Sequence, residues 1–193
     1  VAFWDNGVPI FIIKMISRGF ISFLKQINGI LINGNHGDFV TAQDGVEIIE
    51  YFLSVNPKLY IQINTNASAR PKIWERLGQL GVTVNFRIDG LEDTHSLYRV
   101  NTDYKFILEN AGKFIRAGGK ANWVMLVFKH NQHQVEQARK ISQELGFANF
   151  TKKVSRRFGM FGVDSIKDGK CPDGVAYDWN KASRIGRVKK ERV

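Results

Sequence analysis

The chain has 193 residues, 44% of them hydrophobic, and a formal net charge of +10, which suits one domain with a real core and excludes a disordered polypeptide. The longest apolar region, Ile10 to Leu31, is interrupted by Lys14, Arg18, Lys25 and Gln26, so nothing approaches the ~18 uninterrupted residues of a membrane-spanning helix. The single cysteine, Cys171, excludes an internal disulfide and a self-contained cysteine-ligated zinc or iron–sulfur site, and a cytoplasmic location without membrane contact is the expectation.

Pro9 to Gln26 carries Ile12, Ile13, Ile16, Phe20, Phe23 and Leu24 at mostly helical spacing with basic residues between, which predicts an amphipathic helix. No small-residue cleavage pattern follows it, so it does not read as a signal peptide. Val1 is not an initiator methionine, and native structure upstream is expected. Ile27 to Asn33 predicts a strand, followed by the glycine-rich loop Gly34-Asn35-His36-Gly37-Asp38. Thr41 or Asp44 can cap the next helix, from about Gln43 to Ser54, which Asn56-Pro57 ends. Leu59 to Ile63 is a second strand, running into the polar end Asn64 to Ser68. A helix from Pro71 to Leu80 starts with proline where it is tolerated and stops at Gly81.

Val82 to Ile88 is a third strand, turning at Asp89-Gly90 into a polar stretch with Glu92, Asp93, His95 and Arg99. Tyr104 to Ala117 predicts a helix, Ala121 to Phe128 a strand with the polar end Lys129-His130-Asn131, Gln132 to Leu145 a helix, and Phe147 to Val154 a last strand. After Phe158 the pattern dissolves, and an irregular tail is expected. Residues 151–193 hold 12 Lys/Arg against 5 Asp/Glu, so +7 of the net charge lies there. A solvated basic segment explains this. A nucleic-acid partner is not expected, since no recognition motif and no interleaving of aromatic and basic residues accompanies it.

Strands joined by helix-bearing connections must run parallel with right-handed crossovers. The organisation is therefore residues 1–26 as a helical segment, 27–158 as an α/β core, and 159–193 as the tail. Ligands in such sheets bind outside the carboxyl ends of the strands. Four strand ends carry polar groups that this topology sends to one rim: 33–38, 64–68, 87–89 and 129–131. Asn, Asp and Gly also form turns for purely local reasons. Four such ends in register say more than any one.

In their order and spacing these residues resemble the middle of a radical S-adenosylmethionine (SAM) enzyme, most of all the branch that modifies peptides and proteins. Gly37-Asp38 is similar to the Gly-Glu after that superfamily's second strand, Thr65-Asn66-Ala67 to its Thr-Asn-Gly, and Phe86-Arg87-Ile88-Asp89-Gly90 to its Ser-x-Asp-Gly. His95 and Arg99 follow, then a strand ending at His130-Asn131. The resemblance covers about Ile27 to Phe158. It implies a partial (β/α) barrel, incomplete at its N-terminal end, with SAM across the strand tips and a peptide or protein substrate. It further implies a [4Fe–4S] cluster and a 5′-deoxyadenosyl radical that abstracts hydrogen from substrate.

Carried over, Asp38 would accept the methionine amino group of SAM, with Gly34, Asn35 and Gly37 beside it. Thr65 and Asn66 would line the next tip, Arg87 and Asp89 would face the carboxylate or ribose, and Asn131 would complete the rim. His95 and Arg99, one helical turn apart, would contact substrate or brace Asp89. The sequence departs from the family in three places. The Cys-x-x-x-Cys-x-x-Cys cluster segment is absent, Arg87 replaces the commoner serine, and Phe39 stands where proline is frequent. The chain as written is expected to be inactive, with the cluster segment upstream of Val1; the alternative is a non-catalytic α/β binding module on the same scaffold. Other polar residues read more simply. His130 and His133 lack a third ligand partner, Glu92 and Asp93 suit a first helical turn, and Trp74 and Trp123 suit the core.

Overall fold

In a computed structural model the chain is described over residues 18–34, 37–69, 72–128 and 130–154. The first part of the predicted N-terminal helix, Asn35, Cys171 and the basic tail lie outside the described residues. The remainder begins with helix α1 (Arg18–Gln26) and strand β1 (Gly29–Asn33), then a 3-10 turn at Phe39–Thr41 and α2 (Gly45–Val55). Next come β2 (Tyr60–Thr65), α3 (Lys72–Gln79), β3 (Thr83–Arg87), the short α4 (His95–Tyr98) and α5 (Tyr104–Arg116). β4 (Lys120–Val127), a 3-10 turn at Gln132–Gln134, α6 (Val135–Glu144) and β5 (Asn149–Val154) complete the order.

All five strands are parallel and lie in the order β1-β2-β3-β4-β5. Sequential neighbours joined by right-handed crossovers place the crossover helices α2, α3, α5 and α6 on the same face of the sheet. That is the arrangement of a barrel segment, whereas a doubly wound sheet reverses its order and is covered on both faces. Among the described residues the sheet is not closed, and β1 and β5 are its two edges. The expected partial barrel of parallel strands is therefore present, and each strand starts and ends within two residues of the predicted limits.

The face under the helices is the core. Along β2, Ile61 and Ile63 are buried while Tyr60 is exposed, and along β3 Val84 and Phe86 point the same inward way. Trp74 of α3 meets Phe86 at 5.3 Å between ring centroids, and Phe86 meets Phe114 of α5 at 5.7 Å and Phe147 at 5.8 Å. Trp123 packs 5.4 Å from Phe147 and donates its indole N–H to Ile88 O at 2.9 Å. Both tryptophans are fully buried, as expected for core residues.

Two local expectations are corrected and a third is resolved between its alternatives. The helix predicted from Gln132 splits into the 3-10 turn and α6, because Gln134 turns its side chain into the loop after β3. Glu92 and Asp93 precede α4 in a turn and are not first-turn helix acids. The α2 N-cap position falls to Asp44, which makes no side-chain cap bond, while the Thr41 hydroxyl donates to Asp38 O at 2.7 Å. Among the described residues no helix is long and apolar enough to cross a membrane.

Candidate functional site

The rim begins where β1 ends. The chain folds back so tightly after Asn33 that a Cβ on Gly34 would collide with the Gly37 carbonyl oxygen, whereas Gly37 faces open space. The turn delivers Asp38 across to the tip of β2. Asp38 Oδ2 accepts the Thr65 hydroxyl at 2.8 Å and the Asn66 N–H at 2.8 Å, and Oδ1 accepts the Val40 N–H at 3.4 Å. A carboxylate has about four lone-pair sites, so this half-buried group keeps acceptor capacity for a ligand. Asn66 Oδ1 accepts Ser68 N–H at 3.0 Å, which leaves its amide N–H groups for the rim. Ala67 sits at φ 60, a left-handed conformation that favours glycine; this gives a physical reason for the glycine usual at that point of the resembled motif.

The face opposite the helices carries polar side chains. Its middle row is one asparagine from every strand, with Asn33, Asn64, Asn85, Asn122 and Asn149 standing at successive paired positions. Asn64 Nδ2 donates to Asn33 Oδ1, Asn85 Nδ2 to Asn64 Oδ1 at 2.8 Å, Asn122 Nδ2 to Asn85 Oδ1 at 2.9 Å, and Asn149 Nδ2 to Asn122 Oδ1 at 2.9 Å. Arg87, two residues beyond Asn85 on the same face, donates from Nη2 to Asn64 Oδ1 at 3.1 Å. No described carboxylate lies within ion-pair distance of its guanidinium. Burial first, and then the nearby Arg99 cation, hold its pKa below the usual arginine value. A half-buried cation without an ion-pair partner among the described residues, at a strand tip, suits an anionic ligand group.

The loop after β3 has a different character. Asp89 is fully buried. Its Oδ2 pairs with Arg99 Nε at 2.6 Å, its Oδ1 accepts the Leu126 N–H at 2.6 Å, and its own N–H donates to His95 Nδ1 at 3.1 Å. Gly90 must be glycine, with φ +128 and no room for a Cβ beside Thr94 and His95. Asn131 is also fully buried: it accepts Phe128 N–H at 2.7 Å and donates to Asp89 O at 3.1 Å and Leu126 O at 2.9 Å. Gln134 adds three links, accepting Leu91 N–H at 3.0 Å and the Thr94 hydroxyl, and donating to Asp93 Oδ1 at 2.7 Å.

His95, 1% exposed, is held with its pKa down at about 4, by burial first and then by Arg99. These groups lock the β3 and β4 tips together. A polar pocket of about 260 Å³ between Glu92, His95, Thr102 and Lys105 lies behind this lock and is bounded by the Glu92–Lys105 pair at 2.7 Å.

The structure thus divides the predicted site residues. Gly34, Gly37, Asp38, Thr65, Asn66 and Arg87 gather at the tips of β1, β2 and β3, and Asn35 lies outside the described residues. Asp89 and Asn131 share the same end of the sheet but present no surface to a ligand. His95 and Arg99 both brace Asp89, one of the two roles expected for them, because Asp89, once buried, needs a cation and a fixed backbone N–H; the Arg99 side chain remains 25% exposed. Sequence reading missed the asparagine row, Gln134 and Thr102. The one available signal was an asparagine in four of the five predicted strands and, as Asn64, directly after the other.

The fold is shared with solved proteins that are 15–18% identical to the chain. SuiB of Streptococcus suis bound to S-adenosylmethionine is similar at a TM-score of 0.63 and 15% identity, over 99% of this chain and 42% of SuiB. SuiB bound to its precursor peptide SuiA matches at 0.57 and 15% identity, over 85% of this chain and 34% of that one. The enzyme anSMEcpe, with bound AdoMet and the Cp18Cys peptide, matches at 0.54 and 18% identity, over 68% and 40%. The chain spans less than half the length of these solved proteins. No family model matches the chain, and no curated protein matches its sequence.

Proposed function

We propose that this chain is the central part of a radical SAM enzyme, binding SAM at the tips of β1, β2 and β3 for modification of a peptide substrate. The observation that carries the reading is Asp38. Its carboxylate is fixed across two strand tips by Thr65 and the Asn66 N–H, beside an open Gly37, and keeps lone pairs for a compact cation such as the α-ammonium of SAM. Arg87 supplies the complementary cation for a carboxylate or ribose oxygen, and the spare Asn66 amide supplies a further donor. Among solved proteins of the same fold, SuiB is bound to S-adenosylmethionine in one structure and to a precursor peptide in another, and anSMEcpe is bound to AdoMet and a peptide together.

Bound SAM would supply the 5′-deoxyadenosyl group, released as a radical only when a cluster held outside the described residues delivers one electron and methionine leaves; these residues would hold and orient it. The described residues contain no cysteine and no group of three or more His, Cys, Asp or Glu that could hold a metal ion. They do not fit a [4Fe–4S] cluster, and no step of cluster chemistry is assigned to them.

Titration of the chain with SAM, followed by NMR, tests the assignment. Asp38→Ala should weaken binding about 10- to 150-fold, the affinity equivalent of a charge-assisted hydrogen bond of about 1.5–3 kcal/mol. His133→Ala, on the exposed 3-10 turn past β4, should change it by less than about threefold, or ~0.65 kcal/mol. Equal losses would place the ammonium pocket on another loop.

A further inference from the structure

The asparagine row has a polarity that one residue sets. Arginine only donates hydrogen bonds, so Arg87 Nη2 at 3.1 Å identifies the Asn64 atom facing it as the carbonyl oxygen. Asn85 must then donate to that oxygen, which turns its own carbonyl toward Asn122, and the same logic runs on to Asn149. In the other direction Asn64 must donate to Asn33. All five side-chain dipoles therefore point the same way. Among the described residues, the row ends with an unused C=O on Asn149 at the β5 edge and an unused NH₂ on Asn33 at the β1 edge. No described residue accepts from Asn33 Nδ2. A chain of aligned amides polarises its members, by perhaps 10–30% per bond in condensed phase, so the Asn33 NH₂ is a better donor than an isolated amide.

The two ends also differ in height. Asn33 is the last residue of β1, directly before the Gly34 turn that delivers Asp38, while Asn149 is the first residue of β5. The row crosses the tilted strands from the rim at one edge to the base of the sheet at the other. Its donor end is exposed and lies at the same strand end as the turn that delivers Asp38, five residues on, whose carboxylate the proposed function assigns to a ligand ammonium.

We propose that Asn33 is a ligand-binding residue, donating from Nδ2 to the carboxylate of an α-amino acid group whose ammonium is held by Asp38, and that Asn64, Asn85 and Arg87 are positioning residues that aim it. The proposal rests on the reading of the rim as a SAM site and adds to the Arg87 cation a neutral donor for the ligand carboxylate.

The test titrates the chain with SAM and follows the side-chain amide resonances by NMR. The informative variant is Asn33→Asp. It still accepts from Asn64, so the row stays intact, but the donor is replaced by a negative oxygen. Binding should weaken by about tenfold or more. Asn149→Ala removes one bond from the far end of the row and should change affinity less than about twofold, since it touches no ligand and only the polarisation is reduced. In the wild-type chain the Asn33 NH₂ resonances should move on addition of SAM, and Asn85→Leu should move them without ligand. Unchanged affinity in Asn33→Asp, or equal losses in Asn33→Asp and Asn149→Ala, would overturn the proposal while leaving the SAM site standing. Failure of the wild-type chain to bind SAM would overturn both.

Discussion

Replacing Arg99 by methionine is expected to destabilise the protein by about 3–5 kcal/mol, toward the lower figure. Methionine keeps much of the side-chain length but withdraws the cation 2.6 Å from Asp89 Oδ2. Asp89 has no exposed surface, and its other oxygen holds only the Leu126 N–H. An uncompensated carboxylate would thus remain in a low-dielectric site, and its desolvation sets the size of the loss. The lower figure is favoured because the Arg99 side chain is 25% exposed, so part of the attraction is already screened by water.

Urea denaturation measures the loss, and a second substitution identifies its cause. Asp89→Asn added to Arg99→Met removes the stranded charge while keeping an acceptor for Leu126, and should restore about 1–3 kcal/mol. A loss below about 1 kcal/mol in the single variant would class the pair with ordinary surface ion pairs. A double variant no more stable than the single would separate the effect from the buried charge.

Acidification from pH 7 to 4 is expected to remove about 3 kcal/mol through His95 alone. Nδ1 accepts the Asp89 N–H at 3.1 Å, so the neutral ring carries its proton on Nε2, toward the Thr102 hydroxyl at 3.0 Å, which itself donates to Arg99 O at 2.6 Å. A second proton on Nδ1 would break the bond to Asp89 and place a cation near Arg99. The folded-state pKa is accordingly about 4 against an ordinary 6.5. Between those values the unfolded chain holds a proton that the folded chain does not, so stability rises with pH across that window. The contribution is complete above about pH 6.5 and is lost as pH falls toward 4. Comparison of urea midpoints at pH 7, 6, 5 and 4.5 for the wild type and His95→Gln isolates it. The two should converge as pH falls, and parallel pH profiles would show that His95 does not titrate in this window.

The order of strands and helices was legible because each element announces itself locally. Apolar runs of strand length end in Asn, Asp or Gly, and helices stop at Gly81, Gly118 and Gly146. From that alternation the parallel sheet follows, since crossovers of this length leave no other pairing. The collection of Asp38, Thr65, Asn66 and Arg87 at one end follows from it in turn. The asparagine row was not legible in the same way. Its members fall last in β1, second from last in β2, third in β3 and β4, and first in β5. No sequence window aligns residues at such different depths; only the stagger between tilted strands does.

By itself, then, the sequence determined which residues leave the sheet at its carboxyl edge, because side-chain alternation and turn chemistry act over a few neighbouring residues. The tertiary structure alone decided what those residues touch. Asp38 and Asp89 are indistinguishable as acids at strand ends, yet one is half-buried on the open rim and the other is closed over by Arg99, Leu126 and His95. The difference lies in where the following loop returns. The Asp38 loop passes to the tip of β2 and leaves the carboxylate partly in solvent. The Asp89 loop turns at Gly90, brings α4 back over the acid, and is pinned there by Asn131 and Gln134 from a segment about forty residues later. Burial and partner charge are properties of contacts made at that separation, and no local pattern encodes them.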